Sequence, residues 1–220
     1  MTRHVRGVIL DIDGTLVNSN DAHARAWVQA LAHFDIYVPY AVVRRSIGMG
    51  GDNLLPAIAN VAADSPLGKK VSEYRGAIFQ RQFLPQLTAF PKTRELLVRM
   101  RDSGLSLCVA SSAPQAELEP LLRLAKVQDL LEGASSSTDA PHSKPDPDIV
   151  QAALRRLDLD PERVLMLGDT PYDIEAAGRA GLGTIALRCG GRSDQDLAQA
   201  VAIYDDPADL LERFTSSPLA

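Results

Sequence analysis

The sequence predicts an α/β protein in which a parallel β-sheet is covered by helices on both faces. Short apolar runs typical of buried strands alternate with amphipathic segments typical of helices. Such alternation indicates βαβ units, which build parallel sheets. Residues 18–84 contain helical patterns only, so a helical insertion is expected between the first strand and the rest of the sheet.

Each element follows from local patterning. Five apolar runs are predicted as strands, at residues 5–10, 105–110, 163–167, 184–187 and 200–204. Four helices are predicted between them, at residues 91–103, 115–125, 147–157 and 172–180. The stretch 133–137 is rich in Ser and Gly and is predicted as a strand end and loop. The insertion carries four helical patterns, at residues 21–34, 41–47, 53–62 and 68–83. Pro85 and Pro91 bracket its return, because proline is a poor interior helix residue.

Composition excludes several classes of protein. The chain has 220 residues, of which 45% are apolar, enough to bury a substantial core. Its formal net charge of −5 argues against general binding of nucleic acid or of an anionic membrane. No run of apolar residues is long enough to span a membrane. Cys108 and Cys189 are far apart and are predicted to be reduced, so we expect a cytoplasmic protein.

Two aspartates at the end of the first strand are the most informative residues. Asp11 and Asp13 are one residue apart and therefore project to the same side of a strand. A bound cation explains such a pair if one carboxylate is ionised and the other carries a proton. Gly14 then permits a tight turn and close approach of a ligand. The alternative is a hairpin turn at Asp13-Gly14, with Asp11 solvated at the strand end.

Polar residues also follow the second predicted strand and precede the third helix. Ser111 and Ser112 lie at a helix start, where a hydroxyl and free N–H groups suit a phosphate oxygen. The alternative is ordinary N-capping by Ser112. Lys144 lies just before the helix at 147–157, although a lone lysine is more often a solvated surface charge.

Two further aspartates follow the predicted strand at 163–167. Asp169 closes that strand, and Asp173 lies four residues later in the first helical turn. The alternative is that Asp169 or Thr170 caps the helix, while Asp173 is favoured by the helix dipole. Ligands collect at the carboxyl ends of strands in parallel sheets, so we expect these aspartates to lie near Asp11 and Asp13.

Taken in order, these residues resemble the motifs of the haloacid dehalogenase-like hydrolase superfamily. The motifs are Asp11-Ile12-Asp13-Gly14-Thr15-Leu16-Val17, Ser111 after an apolar strand, Ser143-Lys144-Pro145-Asp146-Pro147, and Gly168-Asp169 followed by Asp173. The insertion after the first motif is similar to the cap of the phosphoglycolate phosphatase and β-phosphoglucomutase branch. The resemblance implies a Rossmann-like parallel sheet core, residues 1–17 and 86–220, with an inserted four-helix cap domain, residues 18–85.

The resemblance also implies roles for the residues of the motifs. Asp11 would attack phosphorus and form an aspartyl-phosphate, and Asp13 would serve as general acid and then as general base. Ser111 and Lys144 would hold the phosphoryl oxygens. The N–H groups that follow Asp13 and Ser111, on Gly14 and Ser112, would assist them.

Magnesium is the cofactor that the resemblance implies. Asp11, Asp169 and the backbone carbonyl of Asp13 would suffice as protein ligands, since Mg²⁺ prefers few carboxylates together with water and phosphate oxygens. Asp173 would be a supporting residue or a further ligand.

The resemblance also favours one reaction over others. Dehalogenases of the superfamily lack an acidic residue at the position of Asp13, and β-phosphoglucomutases carry a cap-loop arginine at about the position of Gly51. A magnesium-dependent phosphatase acting on a small phosphomonoester, similar to phosphoglycolate phosphatase, is therefore expected. The alternatives are a β-phosphoglucomutase-like sugar phosphomutase and a phosphorylatable signalling module. Receiver modules combine the same residue types but are shorter and have no cap.

The insertion supplies the candidate substrate contacts His23, Arg45, Gly48 and Gly51. His23 either faces the cleft or packs against neighbouring helices, and packing is favoured. Arg45 is more often solvated at such a position. The glycines of the loop at 46–52 allow close approach of the cap backbone to a small substrate. The expected partner is a small phosphorylated metabolite, with no nucleic acid and no membrane, and the chain is expected to be a monomer or homodimer.

Overall fold

The computed structural model describes residues 4–220, which contain one parallel sheet of six strands in the order β3-β2-β1-β4-β5-β6. The strands are β1 Gly7–Leu10, β2 Ser106–Ala110, β3 Gly133–Ser135, β4 Val164–Gly168, β5 Gly183–Leu187 and β6 Ala202–Tyr204. The five predicted strands are confirmed with slightly different ends. The sixth, β3, forms one edge of the sheet at residues that were predicted as a strand end and loop.

Nine α-helices accompany these strands within the described residues. They are α1 Asn20–His33, α2 Tyr40–Ser46, α3 Gly51–Ala59, α4 Pro66–Ile78, α5 Thr93–Asp102, α6 Gln115–Ala125, α7 Asp148–Leu157, α8 Pro171–Arg179 and α9 Pro207–Glu212. The helices α1 to α4 lie between β1 and α5, as the helical patterns predicted. A π-helical turn at Phe79–Phe83 and a 3-10 turn at Leu84–Gln86 lead back to the sheet. The short helix α9 was not predicted.

Strand β1 lies in the middle of the sheet, because it pairs with β2 on one side and β4 on the other. Val8 and Leu10 are buried on one face of the sheet, and Ile9 is buried on the other. A strand buried on both faces appears in the sequence as a continuous apolar run. This position also sets the carboxyl end of β1 at the centre of one edge of the sheet.

The inserted helices share apolar packing with the sheet. The cluster that contains Val8 and Leu10 continues into the buried side chains of Trp27, Leu54 and Phe79. The division into a core, residues 1–17 and 86–220, and a cap, residues 18–85, stays a prediction. Residues 1–3 of that core lie outside the described residues. We refer to residues 18–85 as the inserted segment.

Two expectations from composition concern the whole chain. Between residues 4 and 220, no helix combines the length and apolarity needed to cross a membrane. Cys108 and Cys189 are both free, as predicted, and Cys108 is buried in the face of the sheet that contains Ile9.

Candidate active site

Three carboxylates gather where β1 and β4 end. Asp11 directly follows β1, Asp169 directly follows β4, and Asp173 lies in the first turn of α8. One oxygen of each lies within 4.8 Å of the others, and all three side chains are buried. The strand-end aspartates are therefore close together, as the sequence predicted for a parallel sheet.

Lys144 enters this acidic cluster from the loop before α7. Its Nζ donates to Asp11 Oδ1 at 2.5 Å and to Asp173 Oδ1 at 2.8 Å. The side chain is only 1% exposed, so the alternative of a solvated surface lysine is wrong. Its ammonium group offsets part of the negative charge that the three carboxylates bring together.

The cluster shifts the pKa values of its members. Burial raises the pKa of Asp11 to about 7, against the charge of Lys144 and with the help of the charge of Asp173. Burial, followed by the charges of Asp173 and Asp11, also raises the pKa of Asp169 well above its ordinary value. Burial alone would lower the pKa of Lys144, but the charges of Asp11 and Asp173 outweigh it and raise that pKa. Three carboxylates against one ammonium group leave an excess of negative charge, which favours a divalent cation.

The residues around Asp169 fit Mg²⁺, which prefers carboxylate and water oxygens. The amide of Asn20 donates to Asp169 Oδ2 at 2.8 Å and to the carbonyl oxygen of Gly190 at 3.1 Å. The other amide atom, Asn20 Oδ1, is buried and has no hydrogen-bond partner within residues 4–220. Buried acceptors are normally satisfied, so this atom is suited to accept from a water bound to a cation.

The backbone approaches Asp169 closely at two glycines. Gly14 has a φ of +83°, and a Cβ there would overlap Asn20 Nδ2. A Cβ on Gly190 would overlap Asp169 Oδ2. The hydroxyl of Thr15 lies 3.1 Å from both Asp11 Oδ2 and Asp169 Oδ1, which links the two strand-end carboxylates. Glycine is required at both positions for this close packing.

Asp173 has two structural roles. Its Oδ2 accepts from the N–H groups of Thr170 at 2.9 Å and Asp169 at 3.2 Å, and from the Thr170 hydroxyl at 2.6 Å. Thr170 and Asp173 thereby form the capping box that begins α8. The helix-capping interpretation is therefore correct for Thr170, and the capping carboxylate also holds Lys144 in the acidic cluster.

Asp13 lies apart from the three clustered carboxylates. Its Oδ1 accepts from the Ser19 hydroxyl at 2.5 Å and lies 2.8 Å from His23 Nε2. Burial raises the pKa of Asp13, but the charge of His23 and the hydrogen bonds from His23 and Ser19 outweigh it and lower that pKa. In this arrangement Asp13 is a proton acceptor with a histidine at hydrogen-bond distance. A metal-binding role for its backbone carbonyl stays a prediction.

Ser111 and Ser112 follow β2 as predicted. Ser111 is fully buried, and its Oγ accepts from the N–H of Ala113 at 3.1 Å. Ser112 donates to the carbonyl oxygen of Gly48 at 3.3 Å, which joins the sheet edge to the inserted segment. The N-cap of α6 is Pro114, so the alternative of N-capping by Ser112 is wrong. The roles of these serines toward a phosphoryl group stay predictions.

A cleft of about 50 Å³ lies between the sheet edge and the inserted segment. Both sides contribute to its lining, which includes Asp11, Asp13, Ser112, His23, Gly48 and Gly51. The ring of His23 also stacks on Phe79, with 4.0 Å between ring centroids. The sequence favoured packing for His23, and its ring does pack on Phe79, but the same side chain also lines the cleft. Arg45 is exposed and is not among the residues that line this cleft.

The cleft contains a charged pair that the sequence did not reveal. Arg75 on α4 donates through Nη1 to both carboxylate oxygens of Glu117 on α6, at 2.8 Å and 2.7 Å. In the sequence, Glu117 resembles an ordinary acidic residue in the first turn of a helix, and Arg75 an ordinary basic residue in the last. No local signal connects two residues that lie 42 positions apart.

The fold and the acidic cluster define a class, the Rossmann-like α/β enzymes that work at the carboxyl edge of a parallel sheet. The model of one family, described as haloacid dehalogenase-like hydrolase, matches residues 5–181. The chain therefore belongs to the haloacid dehalogenase-like hydrolase family, and it is an enzyme of the hydrolase class.

Three individual proteins illustrate the similarity. The chain is 30% identical to the protein named "Probable phosphatase IndB" from Dickeya dadantii, over 97% of each chain. It is 28% identical to a phosphoglycolate phosphatase from Mannheimia succiniciproducens, over 92% of this chain and 95% of that protein. A solved structure of a hydrolase from Pseudomonas syringae has a TM-score of 0.90 and 28% identity, over 96% of this chain and 98% of that one.

Proposed function

We propose that this protein is a magnesium-dependent phosphatase that hydrolyses a small phosphomonoester through an aspartyl-phosphate intermediate. Asp11 carries this proposal, because it is buried at the end of the central strand, lines the cleft and is held by Lys144. The relatives named as phosphatases support the reaction class. The free cysteines favour a reducing compartment, and we propose a cytoplasmic location.

Asp11 is the proposed nucleophile. Its two oxygens are oriented by different donors, Lys144 at Oδ1 and the Thr15 hydroxyl at Oδ2. Attack forms a bond from Asp11 to phosphorus and breaks the bond to the leaving oxygen, which takes a proton from Asp13. A water then attacks phosphorus, Asp13 takes its proton, and the bond from Asp11 to phosphorus breaks.

His23 and Ser19 are the groups that set the protonation of Asp13. Their hydrogen bonds favour the ionised carboxylate, which is the form that takes the proton from water. For the first step Asp13 must carry a proton, and His23 Nε2 is at hydrogen-bond distance to exchange one. Asp13 and His23 together therefore support both proton transfers, the one to the leaving oxygen and the one from the attacking water.

The phosphoryl group and the cation would both bind at the acidic cluster formed by Asp11, Asp169 and Asp173. Bound Mg²⁺ would neutralise charge on the phosphoryl oxygens. Asp11, Asp169 and the carbonyl of Asp13 are its proposed ligands, and Asp173 supports the site by holding Lys144. The phosphoryl oxygens would be bound by the Ser111 hydroxyl, Lys144 and the N–H groups of Gly14 and Ser112.

Release of inorganic phosphate tests this proposal. p-Nitrophenyl phosphate, phosphoglycolate and sugar monophosphates are incubated with the protein in MgCl₂ or in EDTA. Continuous release that EDTA abolishes is expected for the native protein, and none for Asp11→Asn. The exposed Asp129→Asn is a matched control that retains activity. A stoichiometric burst without turnover would instead indicate a signalling module, and isomerisation that needs a bisphosphate activator would indicate a mutase.

A further inference from the structure

The cleft holds one charged pair that the proposed chemistry does not use, Arg75 and Glu117. Both side chains are nearly buried, with 10% and 2% of their surface exposed. The guanidinium group also lies over the ring of Trp27, 5.0 Å from its centroid. The pair joins α4 of the inserted segment to α6 beside the sheet, and it lines the same cleft as Asp11 and Asp13.

Arg75 has a donor that the described residues leave unused. Its Nε is buried and has no hydrogen-bond partner within residues 4–220. Glu117 accepts one hydrogen bond at each oxygen from Arg75, and a carboxylate has further lone pairs available. Buried donors are normally satisfied, so the free N–H indicates a ligand atom that accepts a hydrogen bond at this point.

The charges around the pair decide which ligand group fits. Glu117 already matches the charge of Arg75, and the carboxylates of Asp11 and Asp13 line the same cleft. A substrate carboxylate or second phosphate would meet these anions, or would displace Glu117 and leave it buried without a partner. One hydroxyl group can accept from Arg75 Nε and another can donate to Glu117, which would satisfy both residues without adding charge.

A second cleft adjoins the first and is lined by hydroxyl groups. Its volume is about 270 Å³, and it shares Trp27, Gly51, Arg75 and Ser112 with the first cleft. The hydroxyl-bearing residues Ser72, Ser137 and Ser143 and the acidic Asp52 complete the polar part of its lining. Hydroxyl groups and a carboxylate are suited to an uncharged polar ligand and disfavour an anion.

We propose that Arg75 and Glu117 bind hydroxyl groups of the leaving alcohol, so that the substrate is the monophosphate of an uncharged, hydroxylated alcohol such as a polyol or sugar. This inference rests on the proposed phosphatase activity and narrows its substrate class. Phosphorylated carboxylic acids, such as phosphoglycolate, and bisphosphates are poor substrates under this proposal.

Three small phosphomonoesters test the preference. 2-Hydroxyethyl phosphate and phosphoglycolate differ only by a hydroxymethyl or a carboxylate group, and ethyl phosphate carries neither. The native protein is expected to show kcat/KM about tenfold or more higher for 2-hydroxyethyl phosphate than for the other two. Equal values, or a preference for phosphoglycolate, would overturn the inference.

Variants of Arg75 and Glu117 test whether these two residues cause the preference for the hydroxylated substrate. Glu117→Gln frees the guanidinium charge, so kcat/KM for phosphoglycolate relative to 2-hydroxyethyl phosphate should rise about tenfold. Arg75→Lys keeps the charge but removes the Nε donor, so KM should rise for 2-hydroxyethyl phosphate and stay the same for ethyl phosphate. The exposed Glu132→Gln is the matched control and should leave the ratio unchanged. An unchanged ratio in Glu117→Gln contradicts the inference.

The two proposals fail in different ways. If the native protein hydrolyses neither p-nitrophenyl phosphate nor the three test compounds, the proposed function is wrong. If it hydrolyses p-nitrophenyl phosphate but shows no preference for the hydroxylated compound, only the assignment of Arg75 and Glu117 is wrong. The native preference decides the matter even if a variant does not fold.

Discussion

Lys144→Met should destabilise the protein strongly and in a pH-dependent way. Lys144 is fully buried and donates to Asp11 at 2.5 Å and to Asp173 at 2.8 Å. Methionine is unbranched and adaptable in shape, so it removes the charge while retaining much of the packing. Asp11, Asp169 and Asp173 then face one another in a buried site without a cation from the protein.

The magnitude follows from the cost of an uncompensated buried charge. Removing one partner of a buried ion pair costs about 3–5 kcal/mol. At about 2–4 °C per kcal/mol for a chain of this size, Tm should fall by about 6–20 °C. The pKa of Asp11 is raised from 3.8 to about 7 even with Lys144 in place, and loss of that charge raises it further. Asp11 is thus neutral at pH 5, and the loss of stability should be larger at pH 8.

Thermal and urea unfolding in EDTA at pH 5 and pH 8 measure this effect. The exposed Lys70→Met serves as the control and should change stability little at either pH. Asp11→Asn combined with Lys144→Met should lose less stability than Lys144→Met alone, because one of the three charges is gone. A loss below about 1 kcal/mol at pH 8, or equal losses at the two pH values, would refute the electrostatic reasoning.

Three other perturbations test the site. Asp13→Asn should slow hydrolysis of alkyl phosphates by about 100-fold or more but slow p-nitrophenyl phosphate far less, because nitrophenolate leaves without a proton; equal losses contradict the role of Asp13 as acid. Gly190→Ala places a methyl group against Asp169 and should abolish Mg²⁺-dependent activity, and unchanged activity with MgCl₂ would contradict this. Because the pKa of Asp11 is raised in the folded protein, the contribution of Asp11 to stability without metal is fully present below about pH 4 and is lost as pH rises through about 7. Mg²⁺ should therefore raise Tm more at pH 8 than at pH 5, and an increase independent of pH would contradict the charge balance.

The residues at the strand ends were predictable because their signals are local. Asp11 and Asp169 each end an apolar run, and parallel strands bring their carboxyl ends to one edge. The sequence placed Lys144 just before a helix, but its role at the site came from the family resemblance, since a lysine by itself is a weak signal. Its burial between two aspartates depends on the path of the loop before α7.

Strand β3 was predicted only in part, as a strand end and loop, and helix α9 was not predicted, because the signals of both were too short. Strand β3 has three residues and helix α9 has six, and neither is long enough to establish a hydrophobic period. The prediction for His23 favoured packing, whereas its ring packs on Phe79 and its Nε2 faces Asp13. A helical pattern indicates which face is buried but does not show which partners meet that face.

The sequence by itself determined the alternation of strands and helices, the helical insertion and the acidic residues at the strand ends, because each depends on spacing over a few residues. Only the tertiary structure decided that Asp13 pairs with His23 and that Arg75 pairs with Glu117 across the cleft. The distance between the residues of each pair is set by how the inserted helices pack on the sheet. The periodicity of a sequence shows which face of an element is buried but does not give the distance between two elements.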